Sequence, residues 1–521
     1  MQVMLDAKSE NACRLITTFA GCQSNPFRTG SATETIRGTC YTFSLLLAFL
    51  VCHAEGQTPI LAEVDEPSLL TVDMASDFDG VVDQETSKSP VPNYPYVNGD
   101  SADLCASDRQ LPSQFFPPVY SRNTRKPFAI PNVSREIMLG GWLAQSFTAN
   151  SHSPNNRQNL PMSFNSRSND YLLQQLYAFL EVPVLSNGNA MQLGGRIDVL
   201  FGSDARFSEM RGIERDRMNR RKWNGDDNLY RLVIPQAYVD LALPVLDGLT
   251  IRAGRFYAFS GFETFMAPAN FFVSKSYVYA NGSPFEHAGV VASQRLGDSA
   301  VMRLGYTQGW DSFDSSTHFF GILTGFTYAP TDSPNSISVT THLGNDWTGM
   351  NDASGPRDGS RYFASAVFQR KISSFLRYVF EYDIGYQEDG TLVADIPTST
   401  IGFRSSLWQG IAQYLIYDFN RQLSSALRVE WFNDPDHRQL AVPIEYTTGG
   451  PSFLGGDYVE VTGGFNWQPM ESMIFRPELR WDWSNTHSNP AVPGGVSGIY
   501  TYNDHSSRYQ VTCGMDWIWM F

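Results

Sequence analysis

Residues 510–521 read QVTCGMDWIWMF, the most regular stretch of the chain. Every second residue in it is apolar, and these residues share one face: Val511, Cys513, Met515, Trp517, Trp519 and Phe521. The opposite face includes Gln510, Thr512, Gly514 and Asp516. A period of two is that of a β-strand, whose successive side chains point to opposite sides. The stretch therefore predicts a strand with one face in an apolar medium and the other in a polar one.

The same alternation recurs along the second half of the chain. In residues 473–483 the apolar face holds Met473, Phe475, Leu479, Trp481 and Trp483. The opposite face holds Arg476, Glu478, Arg480 and Asp482. Further segments of this kind begin near Met191, Ala237, Leu427 and Val459. Many half-apolar strands indicate an all-β fold.

Composition selects one class of all-β protein. Charged residues make up 17% of the 521-residue chain and aromatic residues 13%, with a mean hydropathy of −0.26. Soluble proteins carry about 25% charged residues, whereas a membrane-spanning helix needs about 20 consecutive apolar residues. The longest apolar run, Tyr41 to Cys52, is too short for such a helix. Strands with one lipid-facing and one lumen-facing side reconcile low charge with overall polarity, which predicts a transmembrane β-barrel.

The connections between strands alternate between short and long, which distinguishes such a barrel from a soluble sandwich. Short turns are predicted at 186–189, 247–248, 297–298 and 469–472. Long loops are predicted at 149–168, 203–227, 259–285, 346–360, 435–456 and 485–505. Counting with this alternation predicts an antiparallel barrel of about sixteen strands, with fourteen to eighteen allowed, and both termini on the periplasmic side. Residues 387–409 are ambiguous and could hide a further hairpin.

Three regions are predicted along the chain. Residues 1–54 are interpreted as a signal sequence whose start could lie too far upstream, with Tyr41 to Cys52 as its apolar core and Ala54 before the cleavage point. A lipoprotein signal at Cys52 is the alternative. Residues 55–133 are acidic and contain proline, which favours a disordered periplasmic linker, although binding to a partner or plugging of the barrel stays open. Residues 134–521 form the predicted barrel, and Cys105 and Cys513 are expected to be unpaired thiols.

A barrel of this size leaves an aqueous channel inside. Charged side chains on the polar faces of its strands are predicted to line that pore: Arg196, Asp198, Asp240, Arg252, Arg377, Glu381, Asp383, Arg428, Glu430, Arg476, Glu478, Arg480 and Asp482. They could set up a transverse field that disfavours apolar solutes, or pair across strands and stabilise the wall. From residue 135 onward the acidic residues exceed the basic ones by nine, which favours a modest preference for cations.

Two loops carry further predictions. The loop 259–285 is long, aromatic and lightly charged, so it is expected to fold inward and narrow the pore with Glu263, Asn270, Lys275 and Tyr277, although a surface cap is the alternative. The loop 203–227 contains Arg206, Arg211, Arg215, Arg217, Arg220, Arg221 and Lys222. Such a cluster can bind phosphate or carboxylate groups, including those of lipopolysaccharide, or remain a solvated loop that pairs with its own acidic residues.

Several short motifs resemble a known family. They are Gly261-Phe262-Glu263, Asn270-Phe271-Phe272, residues 274–277 and 284–289, Trp408-Gln409-Gly410 and Tyr417-Asp418-Phe419-Asn420. In these motifs residues 135–521 resemble the OmpL-like group of bacterial β-barrel porins, also called the second porin family of this kind. The resemblance implies an outer-membrane porin. The long acidic leader is a departure from a compact porin.

The expected function is passive diffusion of small polar solutes or ions through the outer membrane. A channel specific for sugars or anions, a plugged structural barrel and a barrel enzyme are the alternatives. The enzyme is disfavoured because the eight histidines are scattered and no G-x-S-x-G, H-E-x-x-H or P-loop pattern occurs. No cofactor, metal or nucleic-acid partner is predicted. The expected partners are outer-membrane lipid and lipopolysaccharide, the barrel assembly machinery, which would read Trp517, Trp519 and Phe521, and two further copies of the chain in a homotrimer.

Overall fold

The computed structural model describes residues 137–521 except for 185–189, 217–219, 226–227, 314–319, 353–354, 396–399, 441–454 and 487–499. The predicted signal sequence and linker lie outside the described residues. No helix in the described part is long and apolar enough to cross a membrane. Short helical turns occur at Asp204–Phe207, Ala267–Ala269 and Val278–Gly282.

The strands of the described residues follow one another along the chain and form one sheet. Their bounds are β1 Met138–Asn150, β2 Asp170–Val182, β3 Gln192–Gly202, β4 Arg231–Val233, β5 Ala237–Leu243, β6 Leu249–Tyr257, β7 Glu286–Leu296, β8 Ala300–Thr307, β9 Phe320–Tyr328, β10 Asn335–Asp352, β11 Gly355–Lys371, β12 Leu376–Asp395, β13 Thr400–Asp418, β14 Leu423–Asp434, β15 Gly456–Met470, β16 Met473–Ser484 and β17 Tyr509–Met520.

The sheet closes into a barrel. Each strand pairs antiparallel with its neighbours in sequence, and β4 and β5 both pair with β3, so that together they make one crossing of the wall. The last strand pairs with the first, with Trp142 opposite Met520. Beyond that pair, Phe521 and Gly141 exchange two main-chain hydrogen bonds of 2.9 and 3.0 Å. The described residues therefore form a closed antiparallel barrel of sixteen crossings, and the predicted fold is confirmed.

The outer face of the barrel is apolar. Large apolar side chains are exposed on it from β1 to β17, among them Leu193, Val239, Leu304, Phe465 and Leu479. The charged side chains between them on the same strands point inward and are buried. A closed barrel satisfies every wall hydrogen bond internally, which is what a strand protein needs in order to present such a face to hydrocarbon. The alternation predicted from the sequence is thus the alternation between lipid and lumen.

Depth along a strand sets the cost of a charge on this face. Leu479 lies in the middle of β16 and is 58% exposed, whereas Phe475 on the same face lies near its end. We expect Leu479→Arg to lower the unfolding free energy by about 2–4 kcal/mol and Phe475→Arg by about 0–1 kcal/mol. Urea unfolding of the two variants in detergent–lipid vesicles measures both values. Equal losses at the two positions would contradict the placement of β16 across the bilayer.

One predicted loop is wrong. Residues 346–360 contain three glycines and three aspartates and are predicted to form a long loop, yet β10 continues to 352 and β11 begins at 355. Similarly, β12 and β13 extend to Asp395 and from Thr400, so the described part of 387–409 belongs to one long pair of strands and holds no extra hairpin. Ladder hydrogen bonds do not require an apolar face, so strands continue beyond the membrane band where polar sequence obscures them.

The long loops of the described residues lie at one end of the barrel and a set of short turns lies at the other, as the up-and-down order requires. The short ones are 244–248, 297–299, 329–334, 372–375, 419–422 and 471–472. The longest described ones are 151–169, 203–230 and 258–285, which we call L1, L2 and L3. The predicted turn at 186–189 lies outside the described residues.

Candidate functional site

L3 lies inside the barrel. None of its residues, 258–285, is exposed, and the main-chain N–H of Ala258 donates to the carbonyl of Phe285 at 2.9 Å, so the two ends of the loop are joined. Its sequence explains this position, since it contains eight aromatic residues and only two charged ones, Glu263 and Lys275. Exposure of so many aromatic side chains to water is unfavourable, so a loop of this composition is more stable when it is buried.

Two aromatic clusters bury the loop against the wall. In the first, Phe265 and Tyr279 of L3 belong to a cluster with Trp142 and Tyr177 of β1 and β2. In the second, L3 residues meet aromatic side chains of β13 to β15; the cluster includes Phe271, Phe272, Tyr277, Val278, Trp408, Tyr414, Phe432 and Tyr458. Burial of one such side chain contributes about 1.5–3 kcal/mol. Apolar packing therefore holds both arms of the loop.

Two wall carboxylates bind the main chain of L3. Glu430 of β14 accepts the N–H groups of Tyr277 at 2.7 Å and Val278 at 2.5 Å. Glu478 of β16 accepts those of Val273 at 2.8 Å and Ser274 at 3.1 Å. A buried N–H group without an acceptor costs about 1–3 kcal/mol, so these four hydrogen bonds stabilise the position of the loop. The loop is thereby fixed through main-chain N–H groups, which every residue type except proline possesses.

Two arginines of β16 bind the carbonyls of L3. Arg476 donates to the carbonyls of Ala267 at 2.9 Å and Asn270 at 2.5 Å, while its guanidinium also pairs with Asp516. Arg480 donates to the carbonyl of Lys275 at 2.7 Å and pairs with Asp482. Each arginine therefore joins a wall carboxylate to the loop.

Arg428 of β14 completes this arrangement. It is fully buried and contacts Glu460 of the wall at 2.9 Å, Glu263 of L3 at 2.6 Å and the carbonyl of Ser274 at 3.0 Å. We call the set Arg428, Glu430, Arg476, Glu478 and Arg480 the L3 clasp.

Two glycines of the wall leave room for the loop. A Cβ atom on Gly410 would lie 2.5 Å from a methyl carbon of Val278, and one on Gly385 would lie 2.1 Å from the Trp408 ring. The indole nitrogen of Trp408 donates to the carbonyl of Gly282 at 2.9 Å. Sequence reasoning identified Gly410 only as part of a family motif and missed Gly385, because the need for a missing side chain appears only once Val278 of L3 and Trp408 of β13 are placed.

The predicted L3 residues also link the loop internally. Asn270 accepts from the N–H of Thr264 at 2.9 Å and donates to the carbonyl of Met266 at 2.7 Å. The Lys275 ammonium donates to the carbonyl of Thr264 at 2.7 Å, and the Tyr277 hydroxyl donates to Asp482 at 2.7 Å. Glu263, Asn270, Lys275 and Tyr277 thus lie in one network with the clasp.

The other predicted residues are distributed around the wall. On β5 and β6, Arg252 and Asp240 pair through two contacts of 2.8 Å. On β3, Arg196 contacts Asp198 at 2.7 Å and Glu181 of β2 at 3.0 Å. These charges pair with one another within the wall.

The three remaining predicted residues belong to β12. Arg377 pairs with Asp418 at 3.6 Å near a short turn. Asp383 accepts from the Ser283 hydroxyl of L3 at 2.6 Å, and a Cβ on Gly261 of L3 would lie 2.9 Å from a Glu381 oxygen. The predicted set thus comprises a group bound to L3 and a group outside it. No three His, Cys, Asp or Glu side chains of the described residues are grouped to hold a metal ion.

The predicted assembly residues lie on the outer face of β17. Trp517, Trp519 and Phe521 are all exposed there, together with Cys513. These three residues are at the carboxyl-terminal end of the strand, beside the short turns. The structure thus presents this aromatic edge to the membrane interface, where aromatic girdles of transmembrane barrels occur.

One group of L3 titrates near neutrality. Burial lowers the pKa of Lys275 to about 7, although Glu263 and Asp204 act in the opposite direction. The unfolded chain keeps this proton up to about pH 10, so the unfolding free energy is expected to rise between about pH 7 and 10 as the native state alone releases it. Lys275→Met removes that rise, which thermal unfolding followed by circular dichroism across this range measures. Lys371→Met, at the exposed end of β11, is the control that retains it.

Comparison with known proteins places the chain in a family. Residues 136–521 match the family described as "Putative beta-barrel porin-2, OmpL-like". A search of curated proteins gives no match. Among solved structures, the outer membrane channel DcaP of Acinetobacter baumannii is 13% identical, with a TM-score of 0.45 over 74% of this chain and 97% of the other. An anion-selective porin from Comamonas acidovorans is 9% identical, with a TM-score of 0.46 over 74% and 99%.

The family match spans the whole described barrel, from its first strand to Phe521. It agrees with the closed sixteen-crossing wall and the apolar outer face found above. The chain belongs to the OmpL-like β-barrel porin-2 family and is a porin of the bacterial outer membrane.

Proposed function

We propose that the barrel is a passive diffusion channel for small polar solutes and ions, with L3 as its constriction. The observation that carries this proposal is the clasp: L3 enters the lumen and is fastened to β14 and β16 through buried charges. Sixteen strands enclose a lumen wide enough for water. A loop that is held inside the lumen by fixed contacts narrows the channel permanently, and no conformational change is required.

Paired charges outside the clasp support a preference for polar solutes. Arg252 and Asp240 on one part of the wall, and Arg196 with Asp198 on the next strands, place opposite charges side by side. Such pairs order water and disfavour apolar solutes in a pore. The thirteen charged residues predicted from the sequence therefore serve two roles in this proposal: some fix L3, and the others form charge pairs in the wall of the lumen.

The proposed orientation has both termini in the periplasm. The ends of the described chain, Met138 and Phe521, lie at the end of the barrel that carries the short turns. Outer-membrane barrels have short periplasmic turns and longer extracellular loops. In this orientation L1, L2 and the two ends of L3 lie on the extracellular side.

Single-channel recording tests the proposed function. Protein extracted from outer membranes in detergent is added to a planar bilayer, with a salt gradient across it. Stepwise currents with a defined reversal potential are expected. Silence from protein that is β-rich and heat-modifiable would contradict a diffusion channel.

A plugged structural barrel is the second candidate, and the packing of L3 against two sides of the lumen favours it. Both aromatic clusters are buried, so the loop occupies lumen space on two sides. In that case no stepwise current appears in wild-type protein, but it appears once L3 is shortened. The two candidates therefore give opposite results in the same recording.

We expect the barrel assembly machinery to read the terminal strand, lipopolysaccharide to surround the outer face, and the porin to form a homotrimer, which native mass spectrometry measures. Phe521 contacts Gly141, where an added Cβ would lie 2.8 Å from its ring. Phe521→Ala is expected to reduce the heat-modifiable protein recovered from outer membranes severalfold, whereas exposed Phe419→Ala at a short turn is expected to leave the yield unchanged.

A further inference from the structure

L2 contains a basic cluster built around one buried carboxylate. A single oxygen of Glu209 contacts the guanidinium groups of Arg215 at 2.6 Å, Arg221 at 3.0 Å and Arg231 at 2.9 Å. Its other oxygen accepts from the Asn224 amide at 3.0 Å. One carboxylate thus contacts three guanidinium groups and holds them close to one another.

The cluster keeps an excess of positive charge. Next to it, Arg220 pairs with Asp216 at 2.7 Å and the exposed Lys222 donates to the carbonyl of Gly212. Among the described residues of 209–231, six side chains are basic and three are acidic, and Glu214 among the acidic ones is bound to Arg255 of the wall. Burial lowers the pKa of Arg215; Glu209 acts in the opposite direction, whereas the neighbouring Arg221 and Arg231 lower it further. An added anion would relieve this repulsion.

An apolar patch on the outer face adjoins the cluster. Trp223 is 49% exposed, and its indole nitrogen donates to the carbonyl of Leu232 at 3.0 Å. Leu232 itself is exposed on the outer face and pairs with Phe201, whose ring lies 6.3 Å from that of Tyr230. The basic residues and this patch are consecutive in sequence, so they meet at the rim of the barrel where β3 ends and β4 begins.

We propose that this rim of L2 binds the phosphate group of a phosphorylated lipid in the outer leaflet. The inference rests on the proposed orientation, in which L2 is extracellular. Guanidinium groups bind phosphate oxygens through paired, charge-assisted hydrogen bonds. The exposed Trp223 and Leu232 provide contact for the acyl chains of the same molecule, which a free phosphate ion cannot use. Charge and apolar surface together therefore select a lipid.

Lipid titration followed by native mass spectrometry tests the proposal on the full-length porin in detergent. The probes are diphosphoryl lipid A, the same lipid after removal of both phosphates, and inorganic phosphate. The diphosphoryl lipid is expected to bind, and the dephosphorylated lipid and inorganic phosphate are expected to bind far more weakly. Equal binding of the dephosphorylated lipid would reduce the site to an apolar patch, and equal competition by inorganic phosphate would make it a free-anion site; either result overturns the proposal.

A double variant and a matched control locate the site. Arg220→Gln with Lys222→Gln changes two exposed cations, so the affinity for diphosphoryl lipid is expected to fall at least about tenfold. Arg404→Gln is the control, because Arg404 is 60% exposed and paired with one aspartate, as Arg220 is, but lies on β13. Equal affinities for the double variant and the control would overturn the assignment to L2. Channel currents are recorded in parallel, so failure of the lipid site is distinguishable from failure of the channel.

Discussion

Arg428→Ala is expected to lower the unfolding free energy of the porin by about 3–5 kcal/mol. The substitution leaves Glu460 and Glu263, both buried, without the guanidinium that neutralises them. It also removes the donor to the carbonyl of Ser274, so L3 loses its contact to β14 on that side. Urea unfolding followed by tryptophan fluorescence measures the loss. The removal of one partner of a buried pair costs more than the net value of the pair, which is why the expected effect is large.

The same variant should expose L3 to protease. Trypsin cleaves after lysine, and Lys275 in the native porin is buried in the middle of L3. Faster cleavage at this bond is expected in Arg428→Ala. Arg377→Ala is the control, since Arg377 pairs with Asp418 of the neighbouring strand near a short turn. If both variants unfold at the same urea concentration and resist trypsin equally, Arg428 does not hold the loop.

Shortening of L3 is expected to raise the single-channel conductance about twofold or more, because the current through a wide pore grows with its narrowest cross-section. Residues 260–283 are replaced by a short glycine–serine linker. The hydrogen bond between Ala258 and Phe285 shows that the ends of the loop already lie side by side, so a short linker can join β6 to β7. The clasp residues, which are buried in the native porin, then face water, so that their charges become solvated.

Two measurements interpret the shortened variant. Heat-modifiability on gels establishes that the barrel still closes, and exclusion of polyethylene glycols of increasing size estimates the width of the pore. An unchanged conductance from a closed barrel would show that L3 does not limit the current. A current that appears only in the shortened variant would favour the plugged barrel.

The wall of this porin could be predicted from its sequence because apolar and polar residues alternate within each strand according to the side that faces lipid or lumen. The alternation of Leu479 and Trp481 with Arg480 and Asp482 indicates two faces without reference to any other strand. The count of sixteen followed from turn residues, except where β10 to β13 continue as polar strands beyond the membrane band. Local pattern is informative only where one face must be apolar.

The site was predictable in composition but not in pairing. The low charge of L3 indicated an inward loop, and the charged residues of β14 and β16 were recognised as facing the lumen. That Glu430 and Glu478 accept main-chain N–H groups of L3 could not be predicted, because every residue type except proline supplies such a group, so the sequence does not indicate which ones are used. The role of Gly385 was hidden for the same reason: it depends on where Trp408 lies.

Recognition of L3 through its main chain has an evolutionary consequence. Four of the five clasp residues, Glu430, Glu478, Arg476 and Arg480, bind N–H and carbonyl groups that survive most substitutions in the loop. Mutations that alter the side chains L3 presents to a solute can therefore accumulate without its detachment from the wall. Selection can therefore change which solutes pass the porin through the side chains of L3, while the residues that hold the loop in the lumen are inherited unchanged.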